Sequence, residues 1–262
     1  DIDTGLSPNT LLVKSDAGQM EFYVNDVLVW SGMAFTDSGT HVGVAMYRDA
    51  ASTGNELDVD WAVQSGGTQV AKFIDGFEQG LWNWTQTTTV NTADAWVIDP
   101  WGYSATGLKA VFGENYSHRS DYTLQMGAPI IVPAGVPVFM RFNHYFAIEE
   151  LYDGGVVEYS VNGGPWTDAG PLFVERGYTA TLLTSDVSTT PLAGRSAFTG
   201  FTNGYTSSRL DLSTLAGQSV RFRFRLGSDS SARYDGWDID DVQIYSCSPA
   251  SYRYTRLPVT WR

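Results

Sequence analysis

The chain has 262 residues, of which 43% are hydrophobic and 14% aromatic, and this is enough to form a sizeable core. It carries 16 basic and 29 acidic residues, for a formal net charge of −13. Because this balance repels phosphate backbones, the composition excludes a nucleic-acid-binding protein and favours bound cations. The length is comfortable for two domains.

Cysteine use and hydrophobicity place further limits on the chain. The single cysteine, Cys247, excludes an internal disulfide and a cysteine-rich metal site. No long apolar run is present, so no membrane-spanning helix is predicted. The chain starts at Asp1 without a signal-like segment, as expected of a processed or truncated product. Its 27 glycines and few lysines are typical of secreted bacterial β-proteins, and we expect an extracellular or cell-surface location.

Hydrophobic and polar residues alternate along most of the chain, which is the period of a β-strand with one buried face. One such run alternates arginines with the apolar residues Val220, Phe222, Phe224 and Leu226. We expect its apolar side to enter a core and its arginine side to face water. Turn signals rich in Asn, Asp and Gly separate the runs. The sequence therefore predicts an all-β protein of β-sandwich or jelly-roll type.

A polar, glycine-rich segment at residues 65–69 is predicted to link two modules. The preceding residues 1–64 contain the motifs "FYVND", "HVGVAMYRD" and "ELDVDWAV". In this order they resemble the last strands of a laminin-G or concanavalin-like sandwich. The resemblance implies that residues 1–64 supply only part of a sandwich. We expect further residues, or strands from a neighbouring chain, to complete it.

Residues 70–247 carry three longer motifs: "FIDGFEQGLWNW", "APIIVPAGVPVFMRFNHYF" and "SARYDGWDIDDVQIYSC". In this order they resemble a MAM-like jelly roll of secreted bacterial proteins, a module that accompanies metallopeptidases of the immune-inhibitor type. The resemblance implies a two-sheet β-sandwich with a noncatalytic, extracellular role. Cys247 matches the closing cysteine of animal MAM domains, but its usual partner is absent here. Residues 248–262 are left as a basic tail.

Acidic residues gather near both ends of the second module. In a jelly roll the first and last strands can lie together, so these carboxylates can converge on Ca²⁺, which takes about six to eight oxygens. Related modules often hold calcium between the "FE" glutamate and the "IDD" aspartates. The resemblance implies Glu78, Asp240 and Asp241 as ligands here, with Asp75 as a further one. The alternative is a solvated acidic edge.

The acidic segment "ELDVDW" is a candidate catalytic site. Glu56, Asp58 and Asp60 share one strand face, as nucleophile and acid/base do in sandwich-type glucanases. However, Asp60 stands where that pattern expects Glu, and the "FYVND" strand comes before the acidic strand instead of after it. A solvent-facing acidic strand is the preferred interpretation.

Other catalytic motifs are missing from the sequence. No HExxH spacing links the three histidines His41, His118 and His144, and no GxSxG elbow is present. We expect His144 to be structural. A Ser–His–Asp triad whose members converge only in space stays open. The sequence therefore predicts no enzyme.

Several aromatic residues lie near Gly, Asn or Pro and hence near turns, where exposed rings can stack on sugar faces. Trp84 and Trp237 match positions that are usually buried in related modules. Trp82, Trp101 and Tyr103 are therefore the candidate ligand-binding residues, with burial in the core as the alternative.

The basic tail contains three arginines and no acidic residue. A basic segment leaving an acidic body can dock on the next copy, so the tail is a candidate connector for self-assembly. The residues proposed for this role are Tyr252, Arg253, Arg256, Trp261 and Arg262. The alternative is a disordered or self-docked terminus.

These features predict a noncatalytic, calcium-stabilised extracellular protein that acts in adhesion, binding or structural assembly. Its expected partner is a carbohydrate or a surface protein. The alternative is the accessory region of a secreted metallopeptidase or glycosidase whose catalytic domain lies upstream.

Overall fold

A computed structural model of the chain describes residues 11–16, 19–24, 27–33, 62–64, 69–184, 190–247 and 253–255. In this part of the chain the regular structure is β-strand, apart from 3-10 helices at Gly170–Leu172 and Ser213–Leu215. The prediction of an all-β fold is confirmed.

The strands, in chain order, are β1 (Leu11–Asp16), β2 (Gln19–Val24), β3 (Val27–Met33), β4 (Ala62–Gln64), β5 (Gln69–Asp75), β6 (Trp84–Thr88), β7 (Trp96–Ile98), β8 (Val111–Glu114), β9 (Ser120–Met126), β10 (Ile130–Ile131), β11 (Val138–Ile148), β12 (Gly154–Val161), β13 (Trp166–Asp168), β14 (Phe173–Glu175), β15 (Ala180–Thr181), β16 (Ser196–Ala197), β17 (Gly200–Phe201), β18 (Thr206–Asp211), β19 (Ser219–Ser228), β20 (Gly236–Cys247) and β21 (Arg253–Thr255).

Two antiparallel sheets form a sandwich from β5 to β20. The six-stranded sheet has the order β13-β12-β19-β9-β6, with β10 beside β19. The eight-stranded sheet has the order β14-β18-β11-β20-β8-β7, with β17 beside β11 and β5 beside β20. The first and last strands of the second module, β5 and β20, are therefore neighbours, as the jelly-roll interpretation requires.

The core lies between these two sheets. The apolar residues of the alternating run in β19 are all fully buried, as expected, and they are Val220, Phe222, Phe224 and Leu226. Across the sandwich, Trp237 of β20 is also buried. Its ring meets that of Phe224 edge-on at 5.7 Å and 90°. Such aromatic pairs pack the two sheets against each other across the core.

The arginine side of β19 departs from the expectation that it faces water. Arg223 and Arg225 are largely buried, because a charged network forms on this face. Glu158 of β12 accepts a 2.6 Å hydrogen bond from Arg223. Arg195, from the segment that leads into β16, closes over the same carboxylate. Alternation predicts the face on which a side chain lies, but not the segment that covers it.

Strands β1, β2 and β3 form a separate antiparallel sheet. On it, the rings of Phe22 and Trp30 pack edge-on with centroids 5.3 Å apart. Residues 34–61, which include Glu56, Asp58 and Asp60, lie outside the described residues. The laminin-G-like character of residues 1–64 and the division at 65–69 therefore stay predictions.

The tail contributes one described strand, β21, which pairs antiparallel with β4 of the same chain. Arg253 lies in this strand, whereas the other proposed connector residues lie outside the described part: Tyr252, Arg256, Trp261 and Arg262. Self-assembly through the tail stays a prediction. None of the described residues belongs to a helix that is long and apolar enough to cross a membrane.

Candidate functional site

A loop of residues 99–109, between β7 and β8, folds over the outer face of the eight-stranded sheet, and we call it the 99–109 loop. Trp101 packs edge-on against Phe112 of β8, with ring centroids 5.2 Å apart. Val111 faces the core, so its neighbour Phe112 faces the opposite side of the sheet, and Phe112 is nevertheless buried. The loop therefore covers the side of the sheet that is turned away from the sandwich interior.

Asp240 and Asp241 hold this loop from β20. The register between β11 and β20 shifts between Asp240 and Gln243, and Asp241 has φ of 49°. Consecutive strand residues normally face opposite sides, but this irregular backbone lets both carboxylates reach the same loop. Oδ2 of Asp240 accepts hydrogen bonds from the amides of Ala105 (2.9 Å) and Thr106 (3.0 Å). Oδ1 of Asp241 accepts one from the Thr106 hydroxyl at 2.8 Å.

Glu78, in the turn that follows β5, reaches the other end of the same loop. Its Oε1 accepts hydrogen bonds from the amides of Leu108 (2.6 Å) and Lys109 (2.9 Å). Gly107 makes this approach possible, because a Cβ at that position would overlap the carboxylate. The fold thus brings Glu78, Asp240 and Asp241 to one loop, although they are far apart in sequence.

Asp75 is engaged elsewhere. Its Oδ1 accepts a 2.8 Å hydrogen bond from the amide of Phe77, and its Oδ2 accepts hydrogen bonds from Asn83 (2.9 Å) and from the indole of Trp84 (3.0 Å). Phe77 itself has a left-handed backbone, with φ of 56°. This carboxylate therefore anchors a strained turn and a buried indole. Its role as a metal ligand stays a prediction.

Sequence reasoning missed the part that Asp99 and Asp238 play. Asp99 opens the 99–109 loop and accepts hydrogen bonds from the amides of Trp101 and Tyr103. Asp238 lies on the outer face of β20, two residues before Asp240, and its Oδ1 is buried with no hydrogen-bond partner among the described residues. The alternating acids of "WDIDD" are the signal that could have identified Asp238, since they share one strand face.

Burial changes the electrostatics of this cluster. It raises the pKa of Asp240 to about 7, and the adjacent Asp241 carboxylate adds to the shift. Burial also raises the pKa of Asp238 to about 8, with further contributions from Asp99, Asp235 and Asp240. A bound cation would favour the ionised form of each carboxylate and so oppose both shifts.

The expected calcium ligands fit a hard cation in donor type. Asp240 and Asp241 converge on Gly76, where a Cβ would lie 3.5 Å from Oδ1 of Asp241 and 3.8 Å from Oδ1 of Asp240. A Cβ there would make ordinary van der Waals contact, so the two carboxylates lie next to the backbone of the turn that carries Glu78. Glu78 and the two aspartates offer the oxygen ligands that Ca²⁺ prefers.

A different set of carboxylates comes closer together. Among the described residues, Glu149, Asp153 and Asp229 form the group whose oxygens lie within 4.8 Å of one another and could hold a metal ion. Burial raises the pKa of Asp153 to about 7, although hydrogen bonds from Asn115 and from the Asp229 amide oppose the shift. Glu149 and Asp153 belong to the turn between β11 and β12, whereas Asp229 follows β19, so no sequence motif links the three acids.

The predicted surface aromatics are exposed: Trp82 by 87%, and Trp101 and Tyr103 by 63% each. Trp84 and Trp237 are buried, as expected. The surface positions are confirmed, whereas ligand binding by these rings stays a prediction. The carbonyl oxygen of Tyr103 accepts a 3.1 Å hydrogen bond from the Tyr205 hydroxyl, which ties the loop to the start of β18.

His144 is structural, as predicted. It is fully buried, and burial lowers its pKa to about 3, so the ring is neutral. The Trp237 indole donates to Nδ1 at 3.2 Å, and Nε2 contacts Ser208 Oγ at 2.9 Å. Ser208 in turn donates to the carbonyl oxygen of Arg176. The serine proton is thus directed away from the imidazole, and the pair lies out of reach of a substrate.

No family model matches the chain. It is 26% identical over 185 residues to Bacillopeptidase F of Bacillus subtilis (strain 168), a match that covers 66% of this chain and 11% of that protein. It is 28% identical over 145 residues to the Pre-pro-metalloprotease PrtV of Vibrio cholerae serotype O1 (strain M66-2), covering 53% of this chain and 14% of PrtV. The chain therefore spans only a small part of the length of these curated relatives.

Among solved structures, the chain is similar to the K1 cleaved adhesin domain of Lys-gingipain from Porphyromonas gingivalis W83. The identity is 18% and the TM-score 0.42, and the match covers 68% of this chain and 98% of that domain.

Proposed function

We propose that the chain is a noncatalytic extracellular binding module that accompanies a secreted peptidase. The observation that carries the proposal is the pair of exposed rings, Trp101 and Tyr103, on the 99–109 loop. Carboxylates accept hydrogen bonds from six backbone amides of this loop. Rings that are held in place before binding lose little entropy when a ligand contacts them.

The relatives support an accessory role. Both matched proteins are named as peptidases, and the matched segment covers only 11% and 14% of their lengths. A segment of this size, with β-sandwich architecture and a sealed Ser–His contact, fits the part of a secreted enzyme that positions it on a surface. The proposed partner is a carbohydrate or a surface protein outside the cell.

Calcium is part of the proposal. We place it at Asp240 and Asp241, with Glu78 as the third ligand. The convergence of these three carboxylates on the 99–109 loop supports this placement. When bound, the ion would supply positive charge between carboxylates that otherwise repel each other. Its role would be to stabilise the loop that carries Trp101 and Tyr103.

The test is retention of the purified chain on insoluble cell-wall and matrix polysaccharides and on immobilised surface proteins. Released sugars and peptides are measured in the same tubes. The proposal predicts retention on at least one polymer without release of product. Product release that is lost in Glu56→Gln would instead assign the chain as an enzyme.

A further inference from the structure

A groove lies on the outer face of the eight-stranded sheet, and none of the residues that line it was proposed as a site residue from the sequence. It has a volume of about 460 Å³, and it is lined by Tyr145, Ala147, Phe201, Arg233, Tyr234 and Asp235. We call it the Phe201 groove. Its volume lies within the range of about 300–1,000 Å³ that is typical of small-molecule sites.

The strand register creates the floor of the groove. In β11, Phe146 and Ile148 are buried in the core, so Tyr145 and Ala147 face outward. Ala147 is paired with Phe201 of β17 on one side and with Gly236 of β20 on the other. Residues directly opposite each other share a face, so the Phe201 ring rises next to a small side chain.

Gly236 allows β20 to lie close to β8 beside the groove. Its φ is 140°, and a Cβ at this position would overlap the carbonyl oxygen of Gly113. No larger residue fits without movement of the backbone. The small side chain of Ala147 forms the floor of the groove, whereas the walls carry aromatic rings.

The rings that form the walls are exposed and held in place. Phe201 is 61% exposed and Tyr234 is 39% exposed, and their centroids lie 5.2 Å apart in an edge-on arrangement. Tyr234 belongs to the β19–β20 connection, which is fixed at both ends. The amide of Asp229 donates to Asp153 at 2.6 Å, and the carbonyl oxygen of Asp235 accepts from Asn115 at 3.3 Å.

The rim carries charges of both signs. Arg233 is exposed and pairs with Glu114 at 2.7 Å, and Asp235 lies two residues further along. Because Glu114 already neutralises Arg233, the rim does not favour an anionic ligand, and the net charge of −13 also opposes a polyanion. Sugar hydroxyls both donate and accept hydrogen bonds. They match a guanidinium donor, a carboxylate acceptor and the phenols of Tyr145 and Tyr234.

The size of the groove argues against a folded protein as the occupant. A standard protein interface uses about 20–30 residues on each side, whereas six residues line this groove. Flat aromatic faces next to mixed polar groups suit the apolar face and polar edge of a pyranose ring.

We infer that the Phe201 groove binds a neutral oligosaccharide. The inference rests on the proposed function as a binding module and names its ligand class and subsite. Phe201 and Tyr234 provide the apolar contact surface, and Arg233 and Asp235 bind the hydroxyl groups at the rim.

The test is an isothermal calorimetric titration of the full chain with neutral hexasaccharides of the gluco, manno, xylo and chito series. We expect at least one of them to bind, and we expect Phe201→Ala and Tyr234→Ala each to weaken it by about tenfold or more. Phe201→Tyr keeps an aromatic ring and should retain binding. The control is Ile131→Ala, which removes an apolar side chain of similar exposure (64%) on the six-stranded sheet and should change affinity by less than about twofold. Thermal melts confirm that each variant is folded.

The outcomes separate this inference from the proposed function. If Trp101→Ala or Trp82→Ala abolishes oligosaccharide binding and Phe201→Ala does not, the groove assignment is wrong and the binding module stands. If no hexasaccharide binds while the chain is retained on surface proteins, the oligosaccharide inference is wrong and the proposed binding module stands. If polygalacturonate binds and the neutral sugars do not, the inferred ligand class is wrong. If the chain is retained on no polysaccharide and no surface protein, both proposals are wrong.

Discussion

Asp240 accepts a 3.0 Å hydrogen bond from the backbone amide of Thr106, a residue 134 positions earlier in the chain. The same carboxylate oxygen accepts the amide of Ala105. A side chain of β20 thus fixes the loop that presents Trp101 and Tyr103. The acidic motif near the end of the second module and the aromatic loop near its start form one structural unit.

The first prediction concerns this unit. Asp240→Ala removes the acceptor of two amides and should lower the free energy of unfolding by about 1–3 kcal/mol, measured by urea denaturation. Glu150→Ala removes an exposed acid and should change it by less than about 0.5 kcal/mol. Equal effects of the two substitutions would contradict a loop-holding role for Asp240.

The second prediction concerns calcium. Because a ligand that binds only the folded state stabilises it, chelation should lower the melting temperature, and added Ca²⁺ should restore it. Asp241→Asn should abolish this response, whereas Asp153→Asn should preserve it. If Asp153→Asn alone removes the response, the ion binds at Glu149, Asp153 and Asp229 instead. An unchanged melt together with no calcium by elemental analysis would refute calcium binding.

The third prediction concerns pH. The folded-state pKa of Asp238, about 8, lies above its unfolded value, so the folded state binds the extra proton between about pH 4 and pH 8. The stability that this protonation contributes is fully present near pH 4 and is lost as the pH rises to about 8. Asp238→Asn stays neutral, so with chelator present it should melt a few degrees above the natural chain at pH 9 and close to it at pH 5. A difference that is the same at both pH values would contradict burial of an ionisable carboxyl.

The fourth prediction concerns the charged network on the six-stranded sheet. Glu158 is buried among Arg195, Arg223 and Arg225. Glu158→Ala leaves these guanidinium groups without their shared partner and should cost about 3–5 kcal/mol of stability. Glu175→Ala, at the more exposed pair with Arg209, should cost less than about 1 kcal/mol. Comparable losses would show that the network adds nothing beyond a surface ion pair.

Alternation and motif order were enough to predict the all-β fold, the buried face of β19 and the meeting of β5 with β20. They could not predict which outward faces are covered. Arg195 reaches Glu158 from a separate segment, and Asp99 of the 99–109 loop lies near Asp238. Those contacts depend on tertiary structure and not on local pattern.

The candidate sites likewise include residues that the sequence could predict and residues that it could not. Glu78, Asp240 and Asp241 could be predicted because a motif resemblance links them. Phe201 and Tyr234 could not, because their meeting depends on the register of β17 against β11 and on the path of the β19–β20 connection.

The central claim is that this chain binds an extracellular polymer without transforming it. An adsorption isotherm of the intact chain on insoluble polysaccharides and on immobilised surface proteins, with product analysis of the same supernatants, tests it most directly. We expect saturable adsorption to at least one polymer and no release of soluble sugar or peptide. Release of product in proportion to bound chain, or no saturable adsorption to any polymer, would contradict it.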